Sequence, residues 1–356
     1  MMLLLWLLGG LVLGVVAERL TGGGASRRNP ADDEGAPTST PRRRRRWGRI
    51  LGWSAVAIVV LLVAGVVGGY LWANSIFQKI DRVDVSAQLA EGASSGTNYL
   101  LVGSDNGAAD GEQRENVDGS RSDTMMILHV EDGRATMLSL NRDLWVLNPR
   151  TGENGRLNAT YQDAQGKPDP ANLIQAITEN FGIPIHRYIE VDFVSFAGLV
   201  DSFGGIDIAF EHPAFDLASG LDVKEAGLVH LDGTQALAFV RSRHYAEVID
   251  GEVVLEGGLP DVNRTQRQQA FLRAMMAKAG DNRNPITLAK AAEKMSDGLR
   301  IDDDMTLLQA ARFAWDMGRL QPQTVVLPVT PRRTSGGADV LNLDQPEAEA
   351  ILQQFR

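Results

Sequence analysis

The chain has 356 residues, of which 44% are hydrophobic and 22% are charged, a composition that indicates a folded protein of one to three domains. It contains no cysteine, which excludes disulfide bonds and thiolate chemistry. The net charge of −10 is uneven: residues 1–74 hold nine arginines and four acidic residues, which leaves −15 on the remainder. An acidic body argues against nucleic acid as a partner, since phosphate contacts need a basic face.

A membrane-spanning helix is predicted at residues 50–72. Ile50 to Tyr70 contains no charged residue and is long enough to cross a hydrocarbon core of about 30 Å at about 1.5 Å per residue. Arg42 to Arg46 precede it, and the positive-inside rule then places that side in the cytoplasm and everything after Trp72 outside. A cleaved signal peptide is the less favoured alternative, because the preceding tail is long and no clean cleavage motif follows.

Two segments precede this helix. Met1 to Val16 is apolar but short for a span, and it is either an extra helix or the result of a start codon assigned too early. Residues 17–49 are predicted to form a disordered basic cytoplasmic tail, since Thr21 to Thr40 is rich in Gly, Pro, Ser and charge. The protein is therefore expected in the cell membrane, single-pass or two-pass, with its main domain extracytoplasmic.

After a linker at residues 73–97, residues 98–356 are predicted to form one domain in which strands alternate with helices. The predicted strands are Tyr99–Val102, Thr124–Val130, Thr136–Leu140, Tyr188–Val191, Ile206–Phe210 and Thr324–Val329. The predicted helices are 169–181, 192–203, 232–241, 263–279, 285–299, 306–320 and 345–355. Asp132-Gly133 between two apolar runs predicts an antiparallel hairpin, whereas residues 244–260 are expected to be a long loop. The alternation indicates an α/β fold with helices on both faces of a sheet.

Two carboxylates lie at predicted strand ends, where ligands usually bind in open α/β sheets. Asp105 follows the first strand, and Asp123 precedes the second. Two oxygen ligands together with substrate phosphates are the usual way in which a protein holds Mg²⁺. Taken singly, each of these residues is more commonly a turn cap. A third acidic run, Asp302 to Asp304, is expected to cap the following helix and to remain solvated.

Five arginines in the acidic domain fall at element ends or on one helical face. They are Arg142, Arg241, Arg243, Arg264 and Arg267. Guanidinium groups are permanently charged and fork onto phosphate oxygens, so these residues favour a pyrophosphate ligand. Arg264, Arg267 and Gln268 share a helical face by their spacing, although a solvated basic face is the commoner outcome of such a pattern. With the two carboxylates, they predict a site for a metal ion and a polyphosphate.

Several short motifs follow one another between residues 98 and 278. They are Gly103-Ser104-Asp105, Arg121-Ser122-Asp123-Thr124-Met125, Ser139-Leu140-Asn141-Arg142-Asp143, Arg156-Leu157-Asn158-Ala159, Val200-Asp201-Ser202-Phe203-Gly204-Gly205-Ile206, Leu231-Asp232-Gly233-Thr234-Gln235-Ala236-Leu237, Arg241-Ser242-Arg243, and Asp261 with Arg264 and Arg267-Gln268-Gln269. In this order they resemble the LytR-CpsA-Psr (LCP) family of bacterial envelope proteins. Asn141 departs from the pattern, since the family commonly has proline there, and this is expected to leave the backbone of Arg142 freer.

The resemblance implies a three-layer α/β/α domain with a central mixed sheet. Such a domain binds a polyprenyl-pyrophosphate-linked glycan, with the lipid tail in a deep apolar pocket, and transfers the glycopolymer to a peptidoglycan acceptor. By motif, Asp105 and Asp123 would hold Mg²⁺ (or Mn²⁺). The pyrophosphate contacts would come from Arg121, Arg142, Arg241, Arg243, Arg264 and Gln268.

The catalytic roles are assigned to Asp105, Arg142 and Arg264. The arginines would stabilise charge on the departing lipid phosphate, and Asp105 would take the proton of the attacking hydroxyl. Two other functions use many of the same residues. One is hydrolysis of the polyprenyl pyrophosphate, and the other is non-catalytic binding of the lipid, which does not need the metal.

Overall fold

The computed structural model describes residues 44–92, 96–105, 121–257, 260–281, 285–296, 298–317, 319–320 and 322–356. The chain divides into two units, residues 1–62 and residues 63–356. The expectations for residues 1–16 and for the tail up to residue 43 lie outside the described residues.

The first described element is helix α1, Arg44–Phe77. Its portion Leu51–Phe77, 27 residues long, is by length and composition able to cross a membrane. At about 1.5 Å per residue it extends roughly 40 Å, which exceeds the hydrocarbon core of about 30 Å. Large apolar side chains such as Leu61 and Val66 are exposed along it, whereas Ile76 and Phe77 at its end are buried. The predicted span is therefore a candidate membrane helix that continues past residue 72.

Seventeen strands, seven further α-helices and three short 3-10 helices (Ser86–Gln88, Leu157–Tyr161 and Gln353–Phe355) follow within the described residues. The strands are β1 (Asp81–Val83), β2 (Thr97–Asp105), β3 (Arg121–Glu131), β4 (Arg134–Leu140), β5 (Trp145–Leu147), β6 (Asn154–Arg156), β7 (Arg187–Asp192), β8 (Ile206–Phe210), β9 (Ala214–Asp216), β10 (Leu221–Val223), β11 (Gly227–Leu231), β12 (Ala246–Ile249), β13 (Glu252–Leu255), β14 (Leu299–Asp302), β15 (Gln323–Val326), β16 (Val329–Arg333) and β17 (Asp339–Leu343). The helices are α2 (Pro170–Phe181), α3 (Phe193–Ser202), α4 (Gly233–Arg241), α5 (Pro260–Asp281), α6 (Pro285–Met295), α7 (Leu307–Met317) and α8 (Glu347–Leu352).

A seven-stranded sheet in the order β1-β14-β7-β2-β3-β4-β15 forms the centre of residues 63–356. The sheet is mixed, because β2 runs antiparallel to β3 and parallel to β7, and β4 runs parallel to β15. The β3–β4 hairpin turns at Asp132 and Gly133, which both have positive φ, as a two-residue turn of this kind requires. The predicted hairpin is confirmed.

Both faces of the sheet are covered, because side chains alternate along its strands. On β3, Met125 and Ile127 join a core cluster with Leu173 of α2, while Met126 and Leu128 join a second cluster with residues of α5 and α7. Helix α2 begins and ends as its sequence predicts, with Asp169 accepting from the N–H of Asn172 and Gly182 in the left-handed conformation. The predicted three-layer α/β/α domain with a central mixed sheet is confirmed.

A third cluster lies among α3, α4, α5 and the smaller strand pairs. It contains Val200 of α3, Phe239 of α4 and Phe271 of α5, together with residues of β8 to β10. Here α3 and α4 pack closely at Gly233, where a Cβ atom would lie 2.2 Å from the carbonyl oxygen of Ala197. This contact fixes the start of α4, whose other end carries Arg241.

Several elements differ from the expectations. The long loop predicted at residues 244–260 contains the hairpin β12–β13, which turns at Asp250 and Gly251, both with positive φ. Leu299, predicted as a helix end, begins strand β14, which pairs with β7. The predicted strand Thr324–Val329 is interrupted, with β15 ending at Val326 and β16 starting at Val329. Within residues 73–97, assigned to a linker, β1 pairs with β14 at the sheet edge.

Substituting Gly233 by alanine should destabilise the protein, because the added Cβ meets the backbone of Ala197 and neither helix can move aside easily. We expect the free energy of unfolding to fall by about 1–3 kcal/mol, measured by denaturant titration of the detergent-solubilised chain. Gly155→Ala is the matched control, since nothing lies within 4 Å of its Cβ position. Equal stability of the two variants would contradict the close packing of α3 and α4.

Candidate functional site

Three strand ends meet at one edge of the central sheet. The end of β2 pairs with the start of β3, with Asp105 opposite Arg121 and Ser104 opposite Ser122. The end of β4 lies beside the same part of β3, because Leu140 pairs with Met125. The backbones of Asp105, Arg121 and Asp123 therefore lie together near the turn that carries Arg142.

Asp123 occupies a special place in this edge. Gly103 pairs with Thr124 and the next residue, Ser104, pairs with Ser122, so Asp123 is the additional residue of a β-bulge. Bulges are common next to active sites because they change the direction in which one side chain projects. The structure describes the backbone of Asp105, Arg121 and Asp123, and not their side chains.

The turn after β4 is held by side chains that flank Arg142. Asn141 accepts a hydrogen bond from the N–H of Asp143 at 3.0 Å, and the carbonyl of Arg142 accepts one from the N–H of Asn158 at 3.1 Å. Asp143 pairs with two guanidiniums, at 3.5 Å from Nε of Arg142 and 3.2 Å from Nε of Arg156. The expectation that Asn141 leaves this backbone freer is wrong, because its side chain closes the turn.

Helix α5 joins this edge to the end of α4. Gln269 donates to Oγ of Ser139 on β4 at 2.7 Å, and both residues are buried. On the same helix, Arg267 donates to the carbonyl of Ser242 at 2.7 Å, and Gln268 donates to the carbonyl of Val240 at 3.4 Å. Because Ser242 stands between Arg241 and Arg243, α5 links all three groups of predicted arginines.

The residues on α5 serve different purposes. Arg264 is buried, at 4% exposure, and its neighbour Thr265 lines a small cleft with Asn141 and Ser139. Arg267, in contrast, is buried, forms an ion pair with the partly exposed Glu256 at 2.6 Å and stacks on Tyr245 at 4.9 Å from the ring centroid. The interpretation of Arg267 as one of a set of phosphate-binding arginines is therefore replaced by a structural one. It anchors the segment after β13 to the helix.

A buried carboxylate lies directly behind the end of β2. Glu190 of β7 is fully buried and accepts hydrogen bonds from Ser104 at 2.6 Å, Tyr161 at 2.6 Å and Tyr188 at 2.7 Å. Arg300 donates to both of its oxygens at 3.2 Å. Burial alone would raise the pKa of Glu190, but Arg300 and the three hydroxyls outweigh it and hold the pKa below its ordinary value.

Known proteins resemble this chain over the residues described above. The chain matches the LytR_cpsA_psr family over residues 65–356. It is 30% identical over 321 residues to a Corynebacterium glutamicum protein named "Probable cell wall biosynthesis protein LcpB". The match covers 87% of this chain and 71% of LcpB.

The chain belongs to the LytR-CpsA-Psr family.

Two further relatives of this LytR-CpsA-Psr protein extend the comparison. TagV of Bacillus subtilis, named a polyisoprenyl-teichoic acid–peptidoglycan teichoic acid transferase, is 28% identical over 282 residues, covering 71% of this chain and 64% of TagV. The solved structure of a LytR-Csp2A-Psr enzyme from Actinomyces oris superposes with a TM-score of 0.62 at 26% identity, covering 78% of this chain and 95% of that one. The chain thus spans somewhat less than two thirds of TagV.

The residues at this edge of the LytR-CpsA-Psr domain that could hold a divalent cation are Asp105 and Asp123, since Mg²⁺ prefers carboxylate oxygens. Ser122 between them is fully buried, and its hydroxyl has no hydrogen-bond partner among the described residues. Within that part of the chain, no cluster of three acidic or histidine side chains is arranged to hold a metal.

Two acidic residues differ from the sequence expectations: Asp302 has a role other than the predicted one, and no role was predicted for Glu190. Asp302 is fully buried, accepts the N–H of Tyr188 at 3.0 Å and lies 3.7 Å from Arg187. The expectation of a solvated run is therefore wrong for Asp302, whereas Asp303 and Asp304 are exposed. Glu190 was not singled out, although a carboxylate inside the apolar strand Tyr188–Val191 is a visible signal of a buried, paired charge.

Replacing Glu190 by glutamine should destabilise the fold more than Tyr161→Phe, since it removes the charge that pairs with Arg300 and accepts three hydroxyls. We expect a loss on the order of 3 kcal/mol for Glu190→Gln and about 1 kcal/mol for Tyr161→Phe, measured by denaturant unfolding. If Glu190→Gln left the stability unchanged, the network of hydrogen bonds and the ion pair around Glu190 would be ruled out.

The same variant has a defined pH dependence. A carboxyl with a lowered folded pKa stabilises the fold above its unfolded pKa, and this contribution is lost as the pH falls through the folded pKa. The stability difference between wild type and Glu190→Gln should therefore shrink as the pH falls below the ordinary value of 4.5. A difference that grows in acid would mean that Glu190 is protonated in the folded protein.

Proposed function

We propose that this protein is a membrane-anchored phosphotransferase that moves a glycopolymer from a polyprenyl-pyrophosphate lipid to peptidoglycan. The observation that carries the proposal is the set of contacts made by α5. They join the sheet edge with Asp105, Asp123 and Arg142 to the end of α4 with Arg241 and Arg243. A pyrophosphate needs such a collection of fixed cations, because its charge must be neutralised in place.

The names of the relatives support the reaction class. TagV and TagU proteins are named as polyisoprenyl-teichoic acid–peptidoglycan teichoic acid transferases, and LcpA and LcpB as cell wall biosynthesis proteins. A transferase that takes its donor from a lipid and its acceptor from peptidoglycan must work outside the membrane. This agrees with the arginine-rich segment before α1, which favours a cytoplasmic start and an extracytoplasmic domain.

Each predicted site residue has a proposed role in binding the pyrophosphate or the metal ion. Arg142, Arg241, Arg243 and Arg264 hold the phosphate oxygens, and Arg121 and Gln268 assist at the edges of the ligand. Asp143 keeps Arg142 in place from the opposite side of the turn. Asp105 and Asp123 would hold Mg²⁺ (or Mn²⁺), which when bound would neutralise part of the pyrophosphate charge.

The chemical step is a displacement at phosphorus. The hydroxyl oxygen of the acceptor glycan forms a bond to the phosphorus atom that carries the glycopolymer, and the bond from that phosphorus to the bridging oxygen breaks. Polyprenyl phosphate leaves, and the hydroxyl proton passes to a carboxylate oxygen of Asp105. Arg142 and Arg264 stabilise the negative charge that grows on the departing phosphate.

The lipid tail is expected between the sheet and helices α5 and α7. The side chains there include Met126 and Met137 from the strands and Met276 from α5, which are buried against one another with Phe313 of α7 packed beside them. Methionine side chains are unbranched and adapt to irregular shapes, so this layer can open around a prenyl chain at modest cost. The polar end of that layer lies at Ser139 and Gln269, beside the predicted arginines.

Arg264→Ala should abolish most transfer, since a fixed positive charge opposite the leaving phosphate is lost. We expect a decrease of about 10²–10³-fold in glycan attached to peptidoglycan, using reconstituted protein and lipid-linked donor. Arg312→Ala, at an exposed position on α7, is the matched control and should retain activity. Unfolding curves must show that the variant folds. A folded variant that cleaves the lipid at the normal rate would contradict the assignment.

The same assay separates transfer from hydrolysis. With acceptor glycan, polyprenyl phosphate release should match the glycan attached to peptidoglycan, and without acceptor it should nearly stop. Release that does not depend on acceptor would make the protein a pyrophosphate hydrolase.

Metal removal and Asp123→Asn together separate an enzyme from a lipid-binding protein. Chelation of divalent cations should stop transfer, and added Mg²⁺ should restore it. Asp123→Asn should raise the Mg²⁺ concentration needed for half-maximal activity, because a carboxylate ligand is lost. A protein that binds the lipid only would retain its function in both experiments.

A further inference from the structure

Two of the arginines assigned to the pyrophosphate lie on either side of one buried residue. Arg241 is the last residue of α4, Arg243 follows two positions later, and Ser242 between them is fully buried. The chain then continues through His244 into β12. The direction of both guanidiniums therefore depends on how this four-residue turn is fixed.

A single carboxylate fixes the turn. Asp216, the last residue of β9, is fully buried. Its Oδ2 accepts hydrogen bonds from Oγ of Ser242 at 2.6 Å, from the N–H of Arg243 at 2.9 Å and from the N–H of His244 at 2.8 Å. Its Oδ1 accepts the N–H groups of Ala218 at 2.9 Å and Ser219 at 3.3 Å.

The turn is also held from the opposite side. The carbonyl of Ser242 accepts from Arg267 of α5 at 2.7 Å. Ser242 is thus restrained through its side chain by Asp216 and through its main chain by α5. These contacts determine the backbone on both sides of Ser242, where the two arginines begin.

We propose that Asp216 is a positioning residue for pyrophosphate recognition, which sets the turn so that Arg241 and Arg243 are presented to one ligand. This inference rests on the proposed function, because it takes the arginines to be the pyrophosphate contacts. The hydrogen bonds described for Asp216 come from main-chain N–H groups and one hydroxyl. Asp216 therefore orders the turn through its backbone.

The charge state of Asp216 suits this role. Burial alone would raise its pKa, but the hydrogen bonds from Ser242, His244, Ala218 and Arg243 lower it to about 2. Asp216 is therefore ionised at neutral pH, and both of its oxygens accept hydrogen bonds. Asparagine has nearly the same shape but only one accepting oxygen, so it can satisfy only part of this set of donors.

A double-mutant cycle tests the proposal on the full-length chain in detergent. The probe is inorganic pyrophosphate, and the readout is its inhibition constant against lipid-linked donor, together with KM and kcat. We expect Asp216→Asn to weaken pyrophosphate binding roughly tenfold in the wild-type background. In an Arg241→Ala/Arg243→Ala background, the same substitution should change binding by less than about twofold, because the groups it positions are gone.

Asp302→Asn is the matched control. Asp302 is another fully buried carboxylate that accepts a main-chain N–H, but it lies on β14 and contacts Tyr188 and Arg187. Its substitution should lower stability and leave the inhibition constant of pyrophosphate unchanged. A change in that constant equal to the one in Asp216→Asn would reduce Asp216 to a purely structural residue.

The possible outcomes are separable. Equal effects of Asp216→Asn in both backgrounds would overturn the inference while the arginine assignment stands. If Arg241→Ala/Arg243→Ala alone leaves pyrophosphate binding unchanged, the proposed function of these arginines fails instead. Should Asp216→Asn not fold, Ser242→Ala replaces it in the cycle, because it removes only the hydroxyl donor. Its effect on pyrophosphate binding should be smaller, and should again nearly disappear in the Arg241→Ala/Arg243→Ala background. Equal effects in both backgrounds would overturn the inference.

Discussion

The structure depends on buried polar contacts along one helix. Helix α5 could pack through apolar residues alone, and Phe271 and Met276 do so. Such packing tolerates small shifts, because it has no direction. The hydrogen bonds from Gln269 to Ser139 and from Arg267 to Ser242 do have direction, and both are buried. Leaving either donor unpaired in the core would cost about 1–3 kcal/mol, so these bonds set the position of the helix between the two groups of arginines.

Sequence patterns predicted the parts of the fold that local chemistry determines. Helix α2 has a capping aspartate, a proline at its first position and a terminal glycine, and its predicted range of 169–181 differs from the observed one only by the capping residue. The hairpin β3–β4 has a two-residue turn with positive φ at both positions, a conformation that dipeptides such as Asp-Gly adopt readily. Strand β14 follows a helical pattern directly and is only four residues long, so nothing local distinguishes it from a helix end. Its strand conformation comes from pairing with β1 and β7, which are distant in sequence.

The candidate site shows the same division between features that local sequence predicts and features that depend on distant contacts. Charged residues at strand ends are visible in the sequence, and so are Arg241 and Arg243 at the end of a helix. The groups that hold them were not. Asp216 sits in a three-residue strand and looks like a turn aspartate, because two of its five hydrogen bonds come from its neighbours Ala218 and Ser219. The other three appear only when the chain returns to it more than twenty residues later. Asn141 was read as a loss of rigidity relative to proline, yet its side chain restores the restraint by accepting from Asp143.

These carboxylates address a problem that any cationic site in a folded domain must meet. Two guanidiniums about 4 Å apart repel each other by roughly 4 kcal/mol at an effective dielectric constant of 20. A domain that brings several of them together without a ligand would be destabilised, or the side chains would turn away. Asp143 reduces this repulsion directly, because it lies between Arg142 and Arg156. Asp216 contacts the backbone instead, through the N–H groups of Arg243 and His244. In the role proposed for it, it fixes the turn between Arg241 and Arg243 whether or not a ligand offsets the repulsion between cations. Carboxylates beside the cations and carboxylates behind their backbone are thus two ways to hold cations close together, and the proposed site uses both.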